Sequence, residues 1–151
     1  MELLELIFFA YRDFTSDPDV ILETFGFGRA HHRVIHFVGR HPGMRVAELL
    51  DILRITKQSL ARVLKELVDR GFIVQRTGEA DRRQRLLFLT RQGGDLHQRL
   101  MAPQMERIRA ALQGGGNDVR EVLFKLIDAE DREHVLALLD AASARQARRA
   151  P

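Results

Sequence analysis

"TKQSLARVLKELVDRGFIVQRTGEADRRQRLLFLT" (residues 56–90) changes its periodicity partway through. Behind Thr56, a natural N-cap, Leu60, Val63, Leu64, Leu67 and Val68 recur at helical spacing, and the pattern stops at Gly71. The alternation then becomes that of strands. "FIVQR" (72–76) and "RLLFL" (85–89) read as a hairpin joined by the polar loop "TGEADRRQ" (77–84). Loops this long in compact domains are often functional. This one gathers Arg82 and Arg83, with Arg85 just beyond, before the chain turns apolar at Leu86.

Upstream, Val46, Leu49, Leu50 and Leu53 keep the spacing of a short helix that ends in the turn "DILRI" (51–55). The order is therefore helix, tight turn, capped basic helix, strand, basic loop, strand. This is a helix-turn-helix followed by a wing. At 100° per residue the apolar stripe of the second helix centres on Leu60 and Leu67, while Gln58, Arg62, Lys65 and Asp69 fall opposite. Gln58 and Arg62 occupy the first two turns, where such a helix meets base edges. Gln can bond adenine twice and Arg guanine twice. Thr56, Lys57, Ser59 and the early backbone N–H groups suit phosphates. Asp69, near the far end, is expected to sit off the DNA or to tune a neighbour.

Charge follows the same division. From Arg54 to Arg91 there are ten basic residues against four acidic ones, a local balance of +6. The whole chain of 151 residues carries only +3, so everything else sums to −3. Positive charge concentrated in one region is what a nucleic acid attracts. At 45% apolar and 30% charged, the chain is expected to fold as one globular domain with extensions. With no cysteine, disulfides, thiol switches and cysteine-ligated zinc are excluded, and the cytoplasm is the simplest setting. "MELLELIFFAY" carries Glu2 and Glu5 where a signal peptide needs positive charge, and no apolar run reaches the roughly 18 residues of a membrane span.

The remaining chain reads as helices. Residues 2–14 place Leu3, Leu4, Ile7, Phe8, Tyr11 and Phe14 on one stripe, with Leu6 and Phe9 beside it. A face that wide needs cover on two sides, which a partner subunit would provide. A separate helix is expected from a cap at Ser16 or Asp17, with Pro18 in its first turn, to Gly26 and Gly28, and another from Arg29 to Arg40. Thr90 can cap a helix running to about Leu112, which Pro103 should kink or break. "GGG" (114–116) interrupts. A helix from Asn117 or Asp118 carries Val119, Val122, Leu123 and Leu126. A last one, from about Asp128 with Asp131 as a capping-box partner, buries Val135, Leu138, Leu139 and Ala142. The end, "RQARRAP", should fray. Mainly α with a small β-hairpin wing is the fold class these elements compose.

Residues 44–93 resemble the MarR-type winged-helix transcriptional regulators. "VAELLDILRITKQSLARVLKELVDRGFIVQR" is similar to that family's helix-turn-helix and first wing strand. "DRRQRLLFLTRQG" fits its wing signature through Asp81, Arg83, Leu89, Thr90 and Gly93. "RAHHRVIHFVGRHPG" and "LRITKQSLARVL" further resemble its PetP-like proteobacterial subgroup. The resemblance implies a homodimer in which N-terminal helices (1–43) and C-terminal helices with a basic tail (91–151) flank a DNA-binding lobe (44–90). It implies a recognition helix, 56–70, in the major groove of an operator. It also implies a wing, 77–85, in the minor groove, with Arg83 inserted, Asp81 orienting it, and Arg82 and Arg85 on phosphates. The half-sites would lie about 34 Å apart. Two features depart from the family pattern: the turn "DILRI" lacks glycine, and the stretch from "GGG" onward is longer and more broken.

Many relatives bind a small-molecule effector between the dimer helices and the lobe. By position Tyr11, Arg12, His32 and His36 would lie near such a pocket. His31, His32 and His36 also allow a metal-responsive alternative, since an i, i+4 histidine pair can hold zinc if further ligands arrive. No other cofactor is expected. A winged-helix protein-interaction module is a further alternative, disfavoured by the basic outer face of Gln58, Arg62, Lys65 and Arg83. No nucleophile elbow, phosphate loop or HExxH motif is present, so no enzyme is expected.

Overall fold

A computed structural model describes residues 2–78, 84–113, 119–120, 123–124 and 131–147. It comprises α1 (Glu2–Glu23), α2 (Arg29–Arg40), β1 (Met44–Arg45), α3 (Val46–Leu53), α4 (Lys57–Asp69), β2 (Ile73–Thr77), β3 (Arg85–Leu89), α5 (Arg91–Leu112) and α6 (Arg132–Ala147). The chain forms two compact units, residues 1–107 and 108–151. The helices dominate, and the small sheet is antiparallel in the order β1-β3-β2, so the fold is a winged helix-turn-helix.

The core of the first unit is the sum of the apolar stripes. Val34, Ile35 and Val38 of α2, Leu49 of α3, Leu60 and Leu67 of α4, Leu87 of β3, and Leu96 and Leu100 of α5 are all buried. Fully burying such side chains contributes about 1.5–3 kcal/mol each relative to exposure. Thr90 joins the sheet to α5. Its Oγ1 accepts from the Gly93 amide at 3.1 Å and donates to the Gly71 carbonyl at 2.6 Å. Gly93 is required by space. A Cβ there would come within 2.0 Å of the Phe72 carbonyl oxygen.

Several expectations need correction. Residues 2–23 form one helix, not two, with Pro18 inside it. Thr15 and Ser16 do not cap forward: their hydroxyls donate to carbonyls three or four residues back. Pro18 has no N–H for the carbonyl of Phe14 one turn earlier. The side chain of Gln104 from α5, itself buried, donates its Nε2–H to that carbonyl at 3.1 Å instead. Beside it, Arg107 grips Asp17 through two nitrogens at 2.8 and 3.1 Å. These contacts let the helix run through the proline.

A third strand, β1, pairs Met44 with Leu87 and Arg45 with Leu86, and β2 begins at Ile73 rather than Phe72. α5 runs unbroken through Pro103. Leu139, expected inside, is 47% exposed. The last helix is described from Arg132 and continues through Arg145 to Ala147, into the expected frayed tail; residue 128 and the "GGG" interruption lie outside the described residues. Of the helix expected from residue 117, residues 119–120 and 123–124 are described and helical. Among the described residues no helix is long and apolar enough to cross a membrane.

Candidate nucleic-acid interface

The tight turn between α3 and α4 is made without glycine. Arg54 adopts the left-handed conformation (φ 49°, ψ 44°), and its N–H closes α3 on the Leu50 carbonyl at 3.0 Å. Such a backbone costs a non-glycine residue about 1–2 kcal/mol. From α2, Arg33 reaches across to the Leu53 carbonyl at 3.3 Å, which steadies the turn.

α4 follows, capped at both ends. The Thr56 hydroxyl accepts from the Ser59 amide at 3.1 Å and donates to the Ser59 hydroxyl at 2.9 Å. Two of the side chains expected on phosphates, Thr56 and Ser59, are therefore also structural. At the other end Gly71 takes φ 75°, and the Gly71 and Phe72 amides bond the Val68 and Leu67 carbonyls. This is the six-to-one, five-to-two closure that a left-handed C-cap makes. The helix so defined buries Leu60, Val63, Leu64 and Leu67 and exposes Lys57, Gln58, Arg62 and Lys65. Asp69 pairs with Lys65 one turn away. An exposed i, i+4 pair of this kind is worth well under about 1 kcal/mol, so it does not commit Lys65.

The wing rises from β2 and β3, in register from Ile73↔Leu89 to Thr77↔Arg85. Its outer end is closed by the Gly78 amide on the Gln84 carbonyl at 3.0 Å. Arg85 belongs to the outer end of the ladder, where it pairs with Thr77 and its Nη1 donates to Thr77 Oγ1 at 3.0 Å. Arg76, which the sequence reading passed over, lies across the Phe88 ring at 4.9 Å and adds an exposed cation to the same hairpin. Asp81, Arg82 and Arg83 lie outside the described residues.

The four expected effector residues do not form one contact set. Tyr11 is exposed beneath the Arg29 guanidinium, 5.7 Å from ring centre to Cζ. Arg29 in turn grips Asp19, the carboxylate that acts on His32. Arg12 turns to Asp13 at 2.8 Å and over the Phe9 ring. His32 and His36 belong instead to a crowded group between α2 and α5. Burial draws the His36 imidazole down to about 4, reinforced by His97, His32, Arg40 and His41. Burial also lowers His32 and His97. The His36 and His97 rings stand 5.6 Å apart, and His97 Nε2 is buried with no hydrogen-bond partner among the described residues.

His31 is elsewhere: its Nε2 meets Glu66 of α4 at 3.0 Å. Among the described residues no three His, Asp or Glu side chains gather in a way that could hold a metal ion, which leaves the metal-responsive alternative without support.

Comparison with known proteins points one way. The MarR family profile matches residues 25–84. The HTH-type transcriptional regulator PetP of Rhodobacter capsulatus is 46% identical over 142 residues, covering 91% of this chain and 86% of that one. FabT of Streptococcus pneumoniae, solved in complex with DNA, superposes with a TM-score of 0.70 at 19% identity over 82% of this chain and 89% of that one. The MarR family protein Rv2887 of Mycobacterium tuberculosis, solved with p-aminosalicylic acid, gives 0.58 at 22% identity over 82% and 97%. The last two are likenesses of fold.

Proposed function

Because the chain belongs to the MarR family of transcriptional regulators, we propose that it binds a double-stranded operator as a homodimer in the cytoplasm, regulating transcription by binding rather than catalysis. One observation carries this reading. The well-capped α4 separates a buried apolar face from an exposed face of Lys57, Gln58, Arg62 and Lys65, beside a basic hairpin.

Residues 56–70 enter the major groove, with Gln58 and Arg62 at base edges and Thr56, Lys57, Ser59 and Lys65 on phosphates. The wing, 77–85, enters the adjacent minor groove. Arg83 is the inserted residue, Asp81 its orienter, and Arg82 and Arg85 meet phosphates. Residues 1–43 and 91–151 form the dimer and 44–90 the DNA-binding lobe. What supports the dimer is the outer face of α1, where Leu4, Ile7, Phe8, Phe9 and Tyr11 are each about half exposed or more. An apolar surface of that extent marks an interface. A small-molecule effector is expected near Tyr11, Arg12, His32 and His36. The DNA held by FabT and the small acid held by Rv2887 belong to these two partner classes.

Gel-shift titrations on duplexes selected from a random library test the proposal. Affinity should fall with salt at about −0.9 in log K against log salt for each phosphate contacted. Arg62→Ala should cost about 1–3 kcal/mol and relax the preference at one base pair. A protein that binds selected and scrambled duplexes equally would sink it.

A further inference from the structure

The end of α4 away from its capped start is held by a group of contacts that the DNA-reading face does not use. At the corner between α1 and α2, Phe25 and Phe27 stack at 5.9 Å, and both meet Phe72 edge-on, at 5.7 and 5.3 Å. The Arg70 guanidinium lies 4.2 Å over the Phe27 ring while Nη1 donates to the Phe25 carbonyl at 2.7 Å. The His31 ring stacks on Phe27 at 4.6 Å.

Both nitrogens of His31 are engaged. The Gly28 amide donates to Nδ1 at 3.2 Å, so Nε2 carries the proton and donates to Glu66 at 3.0 Å. Arg70 reaches the other oxygen of Glu66 at 3.4 Å. From α5, Arg99 stands over Phe25 at 5.7 Å. The corner thus ties the end of α1, the start of α2, the end of α4, the start of β2 and α5 to one another.

At 100° per residue, Glu66 and Arg70 lie about 80° and 120° around the helix from Gln58. Glu66 lies about 40° beyond Arg62, at the margin of the reading face, and both side chains turn away to His31 and the Phe25 carbonyl, so what they control is where that face points. α4 is a rod of 13 residues, roughly 20 Å long. A small displacement at its anchored end moves Gln58 and Arg62 at the other. We infer that His31 and Arg70 are positioning residues for DNA recognition. Together they clamp the C-terminal end of α4 to the α1–α2 corner and set the angle at which the helix meets the groove. The inference rests on the DNA-binding reading above. Arg70 suits the task because a planar guanidinium can lie on an aromatic face and still donate from its edge, which an ammonium cannot do.

The test uses the full chain. Duplexes are selected from a random library with the wild-type protein, and affinities are measured on the selected duplex and on a scrambled one of equal length. Arg70→Gln and His31→Phe should each lower the ratio of the two affinities about tenfold, the discrimination carried by one good base contact. Affinity for the scrambled duplex and the dimer population should be unchanged. His31→Phe keeps the stack on Phe27 and loses both ring bonds, the one to Glu66 and the one from the Gly28 amide. His31→Gln, whose amide can still donate to Glu66, should recover the ratio. If Arg70→Gln does not fold, the two His31 variants decide.

Variants that keep the wild-type ratio overturn the inference. So does an equal loss on both duplexes with a salt slope smaller by about one, since that is a phosphate contact. A wild-type protein that selects no sequence overturns the DNA-binding reading itself, and the inference with it.

Discussion

α2 carries histidines toward two neighbours, and the two environments are opposites. Toward α4, His31 has a donor at one nitrogen, a carboxylate at the other and an aromatic ring beneath it. Toward α5, His36 is buried among His32, His97, Arg40 and His41, with no carboxylate among the groups that shift it, and His97 keeps a buried nitrogen without a partner among the described residues. The residue type is the same, five positions apart on one helix. What differs is whether an acid faces it. The first side is built to hold position. The second disfavours a charged imidazole, because a proton added at His36 or His97 is both desolvated and repelled.

The largest test of this contrast is acid. Unfolded, the His36 imidazole takes up its proton near the ordinary 6.5; folded, only near 4. Between those values the unfolded chain holds more protons. Stability is therefore full above about pH 6.5 and declines as the pH falls toward 4. A shift of this size corresponds to roughly 3 kcal/mol. His32 and His97, lowered as well, act in the same direction. Urea unfolding across that window should show the decline, and His36→Gln should flatten much of it. A flat wild-type profile would remove the distinction between the two sides.

A smaller effect is expected at Gly39, whose added Cβ would lie 2.8 Å from the His97 ring. Gly39→Ala should destabilise by about 1–3 kcal/mol, read from thermal unfolding. Most of that cost should vanish in a His97→Ala background, because the two positions share the clash. On the opposite side His31→Phe should change stability least, by at most about 1 kcal/mol, since Glu66 is substantially exposed. A large loss of stability there would mean that His31 serves the fold rather than its alignment.

The contrast also marks where sequence reading succeeds. α4 was legible from Thr56 to Gly71 because both of its ends are local signals, an N-cap hydroxyl and a left-handed glycine. β3 and the start of α5 were legible for the same reason, with Thr90 as the hinge between them. β1 was not, because two residues carry no period. The apolar run places Phe72 in the strand, whereas its amide closes the helix before it. The His31–Glu66 pair spans 35 positions and leaves no local trace.

The bond from Gln104 to the Phe14 carbonyl carries a consequence for how this chain can change. It exists because Pro18 leaves that oxygen without a donor, so positions 18 and 104 form an epistatic pair. In the present background, removing the Gln104 amide leaves a part-buried acceptor without its protein donor. After Pro18→Ala, the backbone of residue 18 supplies its own N–H, and position 104 becomes free to turn apolar. The order of substitution then decides whether the route is open. Lineages that lose the proline first can lose the glutamine, and those that lose the glutamine first must cross a less stable intermediate.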